Sequence, residues 1–374
     1  MCTVLGSVIH AFRSVVKKGL KVTRRHRGPN VQITANSAVI CLRASTPDLA
    51  MEFRQPGTFS PFHCVLPFDM LRNCQASRQS KISFQADADR IRACWYEMGI
   101  PQQVEAKPET FQPFPELPAS WEENPPELMD ALRNASDSAE REPSTFTLSH
   151  IRLRGRDGQI VGTDGRQLFS EDGFKFPWQQ SHLIQASPLF RLSEMRSKDR
   201  TFVGKAIDWI AFRTGRWTIW FKINKTGRYP EIDSLLEKSQ SAISTLRLDE
   251  SDAGYLLRSI KHLPSEDVLY APITVDLNGA VVLRAKAPGK VNPTEVVLTR
   301  SSKEGANLRF AANRQYLTRA VQLGFREFSI SRGESRVVAQ AGKRSMVWAN
   351  LCQDSVIAPR QSAIRVESPC HAPT

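Results

Sequence analysis

One order of short elements occurs three times along the chain, and it restricts the possible folds more than any other feature. The order is strand, short helix, strand, turn and strand, and its copies begin near His63, His182 and Leu308. They start about 120 residues apart, which is close to the size of a small domain. A further helix precedes the first strands of each copy. The pattern therefore predicts an α+β fold of three similar domains, each with two helices packed on antiparallel sheets.

Breaks between the copies set the expected domain boundaries. Residues 108–126 are rich in proline, which lacks a backbone N–H and interrupts both helices and sheets. The chain of 374 residues is also longer than a single hydrophobic core usually supports, about 250 residues. We expect domains at residues 1–125, 126–244 and 245–351. A flexible C-terminal tail without apolar periodicity is expected at residues 352–374.

Helices are expected where apolar residues recur at three- and four-residue steps between start and stop signals. They span residues 4–18, 67–73, 127–139, 188–195, 249–263 and 314–323. Each carries a few basic residues and almost no aromatic ones, which favours contact with the phosphate backbone over reading of bases. The basic residues expected to face DNA are Arg13, Lys17, Lys18, Arg72, Arg133, Arg191, Arg196, Arg258, Lys261, Arg314 and Arg319.

The overall charge agrees with such a partner. A formal charge of +13 points to a polyanion, most simply nucleic acid. A basic surface without such a role is the alternative. Trp209, Trp217 and Trp220 fall on adjoining predicted strands and could stack on bases. Packing in a core or on a sheet is the preferred interpretation of these three residues.

Motifs for catalysis and for metal binding are missing from the sequence. The seven cysteines have no regular spacing, which argues against a zinc site or a disulfide framework and is typical of reduced cytoplasmic thiols. His63 and His182 start equivalent strands, and we expect structural roles for both. No apolar run approaches the length of a membrane span. We expect a cytoplasmic, nucleoid-associated protein that is not an enzyme and uses no metal or cofactor.

The middle third contains two compact motifs. Residues 160–168 read Ile-Val-Gly-Thr-Asp-Gly-Arg-Gln-Leu, an apolar strand that enters a polar turn. A catalytic role for Asp164 is conceivable, but a lone carboxylate has no partner for acid–base chemistry. The simpler interpretation is that Asp164 caps its own turn while Gly165 supplies a positive φ. The second motif, at residues 227–231, reads Gly-Arg-Tyr-Pro-Glu.

These motifs resemble those of the bacterial β sliding clamps, the processivity subunits of replicative DNA polymerase III. Residues 162–168 are similar to the family's Ala-Thr-Asp-Gly-His-Arg-Leu, and residues 227–231 are similar to its Gly-Arg-Phe-Pro-Asp. The resemblance extends over residues of about 4–351. A weaker match to the family's Phe-Asn-x-x-Tyr-Leu helix start is formed by Phe310, Asn313, Tyr316 and Leu317.

The resemblance implies a non-catalytic protein with three similar domains per chain. A head-to-tail homodimer would close into a ring around duplex DNA, with helices lining the hole and strands outside. A hydrophobic pocket between the middle and last domains would take short peptides from the replicative polymerase subunit, the clamp loader and repair proteins. The positions that match this pocket are Thr163, Gly165, Arg166, Leu168, Pro230, Leu235, Val347 and Trp348.

The chain departs from the family pattern at several positions. Arg166-Gln167 replaces the usual His-Arg, and Ser234 stands where the family often has Arg. Trp348-Ala349 replaces a small apolar residue and a proline, which changes the shape of the pocket. The interface strand of the first domain, at residues 102–105, is more polar than in the family. Sliding clamps normally end right after the C-terminal strand, whereas this chain continues with residues 352–374. The tail leaves the strand that borders the pocket, and we therefore expect the tail to cover the pocket.

Three functions are compatible with the sequence. The leading hypothesis is a sliding clamp or a divergent clamp paralogue. The second keeps the fold without the ring, as a monomeric DNA- or peptide-binding module, and the polar interface strand suggests it. The third is a DNA-processing nuclease, which the basic charge permits but no set of metal-binding carboxylates supports.

Overall fold

The computed structural model describes residues 1–20, 22–23, 27–140, 147–196, 200–236, 242–265, 270–331 and 336–369. The chain forms two compact units. Unit 1 comprises Met1–Ala139, Ser149–Ile160 and Gly173–Arg228, and unit 2 comprises Glu140–Leu148, Val161–Asp172 and Tyr229–Thr374. Helices and largely antiparallel sheets in both units confirm the predicted α+β class. The boundaries of the three expected domains stay a prediction.

Five of the six α-helices of the described residues lie close to predicted positions, and α4 lies where no helix was predicted. An amphipathic spacing explains α1, whose Val8, Phe12 and Val15 are buried while Lys17 and Lys18 are exposed. Side-chain caps begin two others, since Asp249 and Asn313 each accept the backbone N–H two residues later. The bounds are α1 (Gly6–Gly19), α2 (Phe68–Asn73) and α3 (Glu127–Ser138) in unit 1, and α4 (Asp233–Leu236), α5 (Glu250–Ser259) and α6 (Arg314–Gln322) in unit 2.

Unit 1 contains two complete sheets and a strand pair. The four-stranded sheet has the order β1 (Cys2–Leu5), β6 (Lys81–Ala86), β7 (Ile91–Glu97), β8 (Ile100–Ala106). The eight-stranded sheet has the order β5 (Phe62–Leu66), β2 (Val31–Ala35), β3 (Val39–Ser45), β4 (Leu49–Pro56), β16 (Trp217–Lys222), β15 (Trp209–Thr214), β14 (Thr201–Lys205), β9 (Trp121–Asn124). The pair consists of β10 (His150–Arg154) and β13 (Ser181–Gln185).

Unit 2 also contains two sheets. The first has the order β12 (Gln167–Glu171), β25 (Arg344–Ala349), β24 (Arg336–Ala341), β23 (Glu327–Ser331), β17 (Ala242–Arg247), β21 (Ser302–Gly305). Unit 2 also contains the last three residues of β11 (Gln159–Thr163), beginning at Val161. The second sheet has the order β22 (Arg309–Asn313), β18 (Pro272–Asp276), β19 (Val281–Ala285), β20 (Thr294–Leu298), β26 (Ile364–Glu367).

The structure differs from two predicted helices. The helix expected at residues 4–18 begins at Gly6, because Cys2–Leu5 pair with β6 as a strand. The helix expected at residues 188–195 consists of two 3₁₀ turns, Pro188–Arg191 and Ser193–Met195. Leu192 separates these turns in an extended conformation with φ −72° and ψ 138°, which prevents a continuous helix.

The C-terminal tail also differs from expectation. Residues 364–367 form β26, which pairs in parallel with β20, so this part of the tail has regular structure. Four alternating residues are too few to stand out as a strand without their partner. Residues 370–374 lie outside the described residues.

Aromatic packing in unit 1 agrees with the preferred interpretation of the tryptophans. Trp217 and Trp220 are buried, and Trp209 is half-buried and packs against the cluster around Trp220. The indole Nε1 of Trp220 donates to the carbonyl oxygen of Glu116 (3.2 Å). These contacts show that the tryptophans help to build the sheet of unit 1.

Candidate functional site

The turn at residues 163–168 closes on itself through side-chain hydrogen bonds. Thr163 Oγ1 donates to the carbonyl oxygen of Gln167 (2.6 Å) and accepts from the N–H of Gly165 (3.0 Å). Asp164 Oδ1 accepts from the N–H groups of Arg166 and Gln167, both at 2.8 Å. The turn is therefore determined by its own residues.

The roles expected for Asp164 and Gly165 are confirmed. The second carboxylate oxygen of Asp164 accepts from Gln167 Nε2 (3.0 Å), so both oxygens bind groups of the turn. Gly165 has a φ of +87°, a conformation that residues with a Cβ rarely adopt. Asp164 is thus a structural cap, as a lone carboxylate in this turn should be.

An apolar floor lies below the turn in unit 2. Leu168 on β12 is opposite Val347 on β25, and both side chains are buried. They form one cluster with Val161, Ile232 and Val338. Around this cluster pack the partly buried residues Tyr229, Leu235 and Leu236.

Tyr229 connects the second sequence motif to this floor. Its ring packs against the cluster, and its hydroxyl group donates to the carbonyl oxygen of Val161 (3.4 Å). The motif at residues 227–231 leads into α4, whose Leu235 reaches the same cluster. The two motifs that stand out in the sequence are therefore joined in space.

A cavity of about 370 Å³ opens between the turn, α4 and the end of β25. Its walls contain seven of the eight residues expected in the pocket, and Pro230 does not line it. Among the described residues, three more line the cavity: Gln167 and Ala349, which adjoin expected pocket residues in sequence, and Arg336, which does not. The lining residues are Thr163, Gly165, Arg166, Gln167, Leu168, Leu235, Arg336, Val347, Trp348 and Ala349.

Strand pairing brings the additional residues to the cavity. Gln167 is opposite Trp348 across the β12–β25 pair, and Ala349 N–H donates to the carbonyl oxygen of Arg166 (2.9 Å). Arg336 begins β24, and the pairing of β24 with β25 places it opposite Ala349. Gln167 and Ala349 adjoin expected pocket residues in sequence, whereas Arg336 is distant in sequence from the turn and belongs to neither motif.

Basic and aromatic groups surround the entrance. Arg166 donates to the Tyr270 hydroxyl group (3.2 Å), and its guanidinium carbon lies 5.6 Å from the Tyr270 ring centroid. That hydrogen bond raises the pKa of Arg166. Burial raises the pKa of Tyr316 to about 12, so its hydroxyl group stays neutral at physiological pH. Among the described residues, two arginines and no carboxylate line the cavity.

Trp348 gives the cavity a large aromatic wall. Its side chain is buried, and its ring centroid lies 6.1 Å from that of Phe328 in an edge-to-face arrangement. Within the described residues, its indole Nε1 has no hydrogen-bond partner. A buried donor without a partner costs free energy, so a ligand acceptor at this position would be favoured.

The expected cover of the pocket by the tail is not found. Of the described residues after Ala349, none lines the cavity. The tail instead leads to β26 at an edge of the other sheet of unit 2. The idea that the tail closes the pocket is therefore wrong for the part of the tail that the structure describes.

Solved structures share this architecture. The beta subunit of DNA polymerase III from Pseudomonas aeruginosa has a TM-score of 0.74 and 17% identity, covering 94% of this chain and 100% of that chain. The corresponding protein from Streptococcus pyogenes has a TM-score of 0.75 and 13% identity, covering 94% and 99%. That from Borrelia burgdorferi has a TM-score of 0.76 and 10% identity, covering 94% and 98%.

The chain has the sliding-clamp fold. No family model matches the sequence, and no curated protein matches it either. The similarity therefore concerns the fold, and the sliding-clamp fold by itself does not assign partners. Those have to be argued from the pocket and the charged surfaces.

Within the sliding-clamp fold, five of the basic residues expected to face DNA are exposed at helix or 3₁₀-turn ends and take no part in the ion pairs described in the next paragraph. Exposed cations of this kind can approach phosphate groups at little desolvation cost. They are Lys17, Lys18, Arg196, Arg258 and Lys261.

Three more are partly compensated by aspartates. Each forms an ion pair with an acidic residue of the same unit, which reduces the positive potential that DNA would meet. The N–O distances are 3.2 Å for Arg72–Asp69, 2.9 Å for Arg133–Asp130 and 2.5 Å for Arg191–Asp137.

Three others have structural contacts. Arg13 donates to carbonyl oxygens at the end of α2, and Arg319 donates to Gln167 Oε1 (3.3 Å) beside the pocket. Arg314 is buried and donates to the carbonyl oxygens of Leu263 (2.6 Å) and Pro264 (2.5 Å). The expectation that Arg314 faces DNA is therefore wrong, because its guanidinium is occupied by hydrogen bonds to carbonyl groups that follow α5.

Two negative findings complete the site. Within the described residues, no group of three or more histidine, cysteine, aspartate or glutamate side chains is arranged to hold a metal ion. Within the same residues, no helix is both long and apolar enough to cross a membrane.

Proposed function

We propose that this protein is a sliding clamp, a non-catalytic tether that holds DNA-processing proteins on duplex DNA through their short peptide segments. The pocket carries the proposal, because seven of the eight residues that match the pocket of sliding clamps line one cavity with an apolar floor. The proposed partners are a replicative polymerase of the DNA polymerase III type, its clamp loader and repair proteins. The proposed location is the nucleoid in the cytoplasm.

The chemistry of the pocket indicates the kind of peptide. A cavity of about 370 Å³ accommodates one or two apolar side chains, and burial of each contributes roughly 1.5–3 kcal/mol before ordering costs. Arg166 and Arg336 line the same cavity, and no carboxylate does so in the part of the chain that the structure describes. We propose a peptide with leucine- or phenylalanine-like anchors and a nearby acidic group.

Association with DNA is proposed to be independent of sequence. The exposed cations on the helices and turns would contact phosphates, and a head-to-tail homodimer would close around the duplex. Binding should weaken with salt, with a slope of about −0.9 for each phosphate contact in a double-logarithmic plot. Retention on nicked circular DNA after loading, with release when the circle is cut, would support a closed ring.

A matched pair of variants on α4 tests the peptide pocket. Leu235 lines the cavity, whereas Leu236 packs on the same cluster without lining it. Leu235→Ala should weaken binding of a labelled peptide with apolar and acidic residues by about tenfold. Leu236→Ala should leave the affinity within about twofold. Fluorescence anisotropy gives both values, and equal losses for the two variants would contradict peptide docking in this cavity.

DNA binding provides the control for a separate site. Leu235→Ala should retain the DNA affinity of the unmodified protein, measured by electrophoretic mobility shift at several salt concentrations. A loss of DNA binding that parallels the loss of peptide binding would show that the two functions do not use separate surfaces.

A further inference from the structure

The C-terminal segment 351–368 is built into the second sheet of unit 2. Leu351 N–H donates to the carbonyl oxygen of Ala311, and Ile357 N–H donates to Thr274 Oγ1, both at 2.8 Å. At the far end, Ser368 is 2% exposed, and its N–H donates to the carbonyl oxygen of Val297 (2.9 Å). Anchors on both sides of β26 make it a fixed outer strand of this sheet.

This outer strand presents apolar side chains to solvent. Ile364 is 62% exposed and Val366 is 41% exposed. Val366 is the pairing partner of Val296, which in turn pairs with Leu283, and the latter two are buried. The core face of the sheet therefore continues onto β26 without cover, which is typical of an interaction edge.

A second open edge lies in unit 1 at β8. The apolar residues Val104 and Ala106 pair with Ala93 and Ile91, both fully buried on the core face of that sheet. Ile100, at the start of β8, is 61% exposed. Like β26, β8 thus extends a core face to the edge of its sheet.

The backbone donors and the side-chain pattern agree on both strands. The N–H groups of Ile364 and Ser368 point to β20, so those of Arg365 and Glu367 point outward. On β7, the carbonyl oxygen of Arg90 accepts from Asp87 N–H, so the backbone groups of every second residue from Arg90 point to β6 and those of Ile91 and Ala93 point to β8. Their partners on β8, Ala106 and Val104, point back to β7, and the backbone groups of Gln103 and Glu105 therefore point outward. On each strand, the outward backbone groups belong to polar residues and the apolar residues lie between them.

We propose that β26 of one copy of this chain pairs in antiparallel orientation with β8 of a second copy. The inference rests on the proposed function for the head-to-tail assembly of two copies. It assigns the junction to the C-terminal segment that extends past the usual end of sliding clamps. The register that matches apolar with apolar and polar with polar residues is Ala106 opposite Ile364, Glu105 opposite Arg365, Val104 opposite Val366 and Gln103 opposite Glu367.

Charge alternation supports this register. In unit 2, Arg284 bridges Asp276 and Glu295 on adjacent strands, and Glu295 has Arg365 as its pairing partner. In unit 1, Glu105 forms an ion pair with Arg92 on the neighbouring strand. If Glu105 pairs with Arg365, the charged residues of unit 2 in one copy and of unit 1 in the other form one series across the strands. Positive and negative side chains alternate along this series, and no like charges lie opposite each other.

Two proline substitutions test the junction. Glu367→Pro and Gln103→Pro each remove an outward N–H while the bonds to β20 and β7 remain. The full chain should be a dimer at micromolar concentration by size-exclusion chromatography with light scattering. Each substitution should raise the dimer dissociation constant by about tenfold or more, since a head-to-tail dimer has two junctions. Val366→Asn should also weaken the dimer, whereas Ile207→Asn, at a residue 82% exposed and outside both strands, should not.

Cysteine cross-linking tests the register. A Val104→Cys protein mixed with a Val366→Cys protein should form a disulfide-linked heterodimer under mild oxidation, because opposite residues of this type have Cβ atoms about 4.5–5.5 Å apart. A mixture of Val104→Cys with Ile207→Cys is the control and should stay uncross-linked.

Three results would overturn the proposal. They are a monomeric full chain, dimers unaffected by both prolines, and cross-linking no stronger than in the control. A chain ending at Leu351 that dimerises while the full chain does not would show that β26 shields the edge of β20 instead. The peptide test with Leu235 and Leu236 needs no dimer, so a failed junction and a failed docking function can be told apart.

Discussion

The turn at residues 163–168 and the C-terminal segment 351–368 show two ways in which unit 2 is built. The turn obtains its hydrogen bonds from its own residues, through Thr163 and Asp164. The segment obtains its hydrogen bonds from strands and loops up to about 80 residues away in sequence, at Thr274 and Val297. The first kind of structure can be recognised in a sequence, whereas the second depends on the folded sheet. Variants of both segments test that difference.

Leu168→Ala should have the largest effect, because it removes a buried side chain from the floor of the pocket. We expect the free energy of unfolding to fall by about 2–4 kcal/mol. Urea unfolding followed by tryptophan fluorescence measures this quantity. Leu117→Ala, at a residue 49% exposed, serves as control with a change below about 0.5 kcal/mol. Similar losses for both variants would show that Leu168 is not a core residue.

Asp164→Ala should have an intermediate effect. The N–H groups of Arg166 and Gln167 and the side-chain amide of Gln167 lose their acceptor, which costs about 1–2 kcal/mol. Asp164→Asn keeps one carbonyl oxygen and should cost about half as much. Urea unfolding and peptide anisotropy on both variants test this order. If Asp164→Asn were as harmful as Asp164→Ala, the charge rather than the cap would be important.

Ser368→Ala should have a smaller effect that is confined to the C-terminal segment. Thr299 N–H loses its acceptor, Ser368 Oγ (2.9 Å), so its amide proton should exchange about fivefold faster. Hydrogen exchange followed by mass spectrometry or NMR measures this rate. Ser362→Ala, at an exposed residue of the same segment, should leave Thr299 unchanged. Peptide affinity should be the same in both variants.

A chain ending at Leu351 should show the smallest effect on the pocket. Because the cavity is lined by no described residue after Ala349, we expect peptide affinity to stay within about twofold. Fluorescence anisotropy provides the measurement. A clear gain in affinity would restore the hypothesis that the tail covers the pocket.

The helices and the pocket show how far local patterns extend. The start of α6 and the cap of α5 follow from short-range signals, whereas seven pocket residues were expected from the resemblance to sliding clamps. Gln167 and Ala349 adjoin expected pocket residues in sequence, whereas Arg336 was missed because strand pairing, not sequence proximity, brings it to the cavity. Arg314 was misjudged for the same reason, since its burial depends on carbonyl groups about 50 residues earlier.

The resemblance to sliding clamps supplied most residues of the pocket, whereas the α+β class and the self-contained Thr-Asp-Gly turn follow from the pattern of residues alone. The class and the turn depend on side-chain periodicity and on hydrogen bonds between near neighbours. The folded chain was needed to show that Cys2–Leu5 is a strand, that Arg314 is buried, and that Ile364–Glu367 extends a sheet. The physical reason is that a strand or a buried charge is stabilised by partners remote in sequence, which a local pattern does not contain.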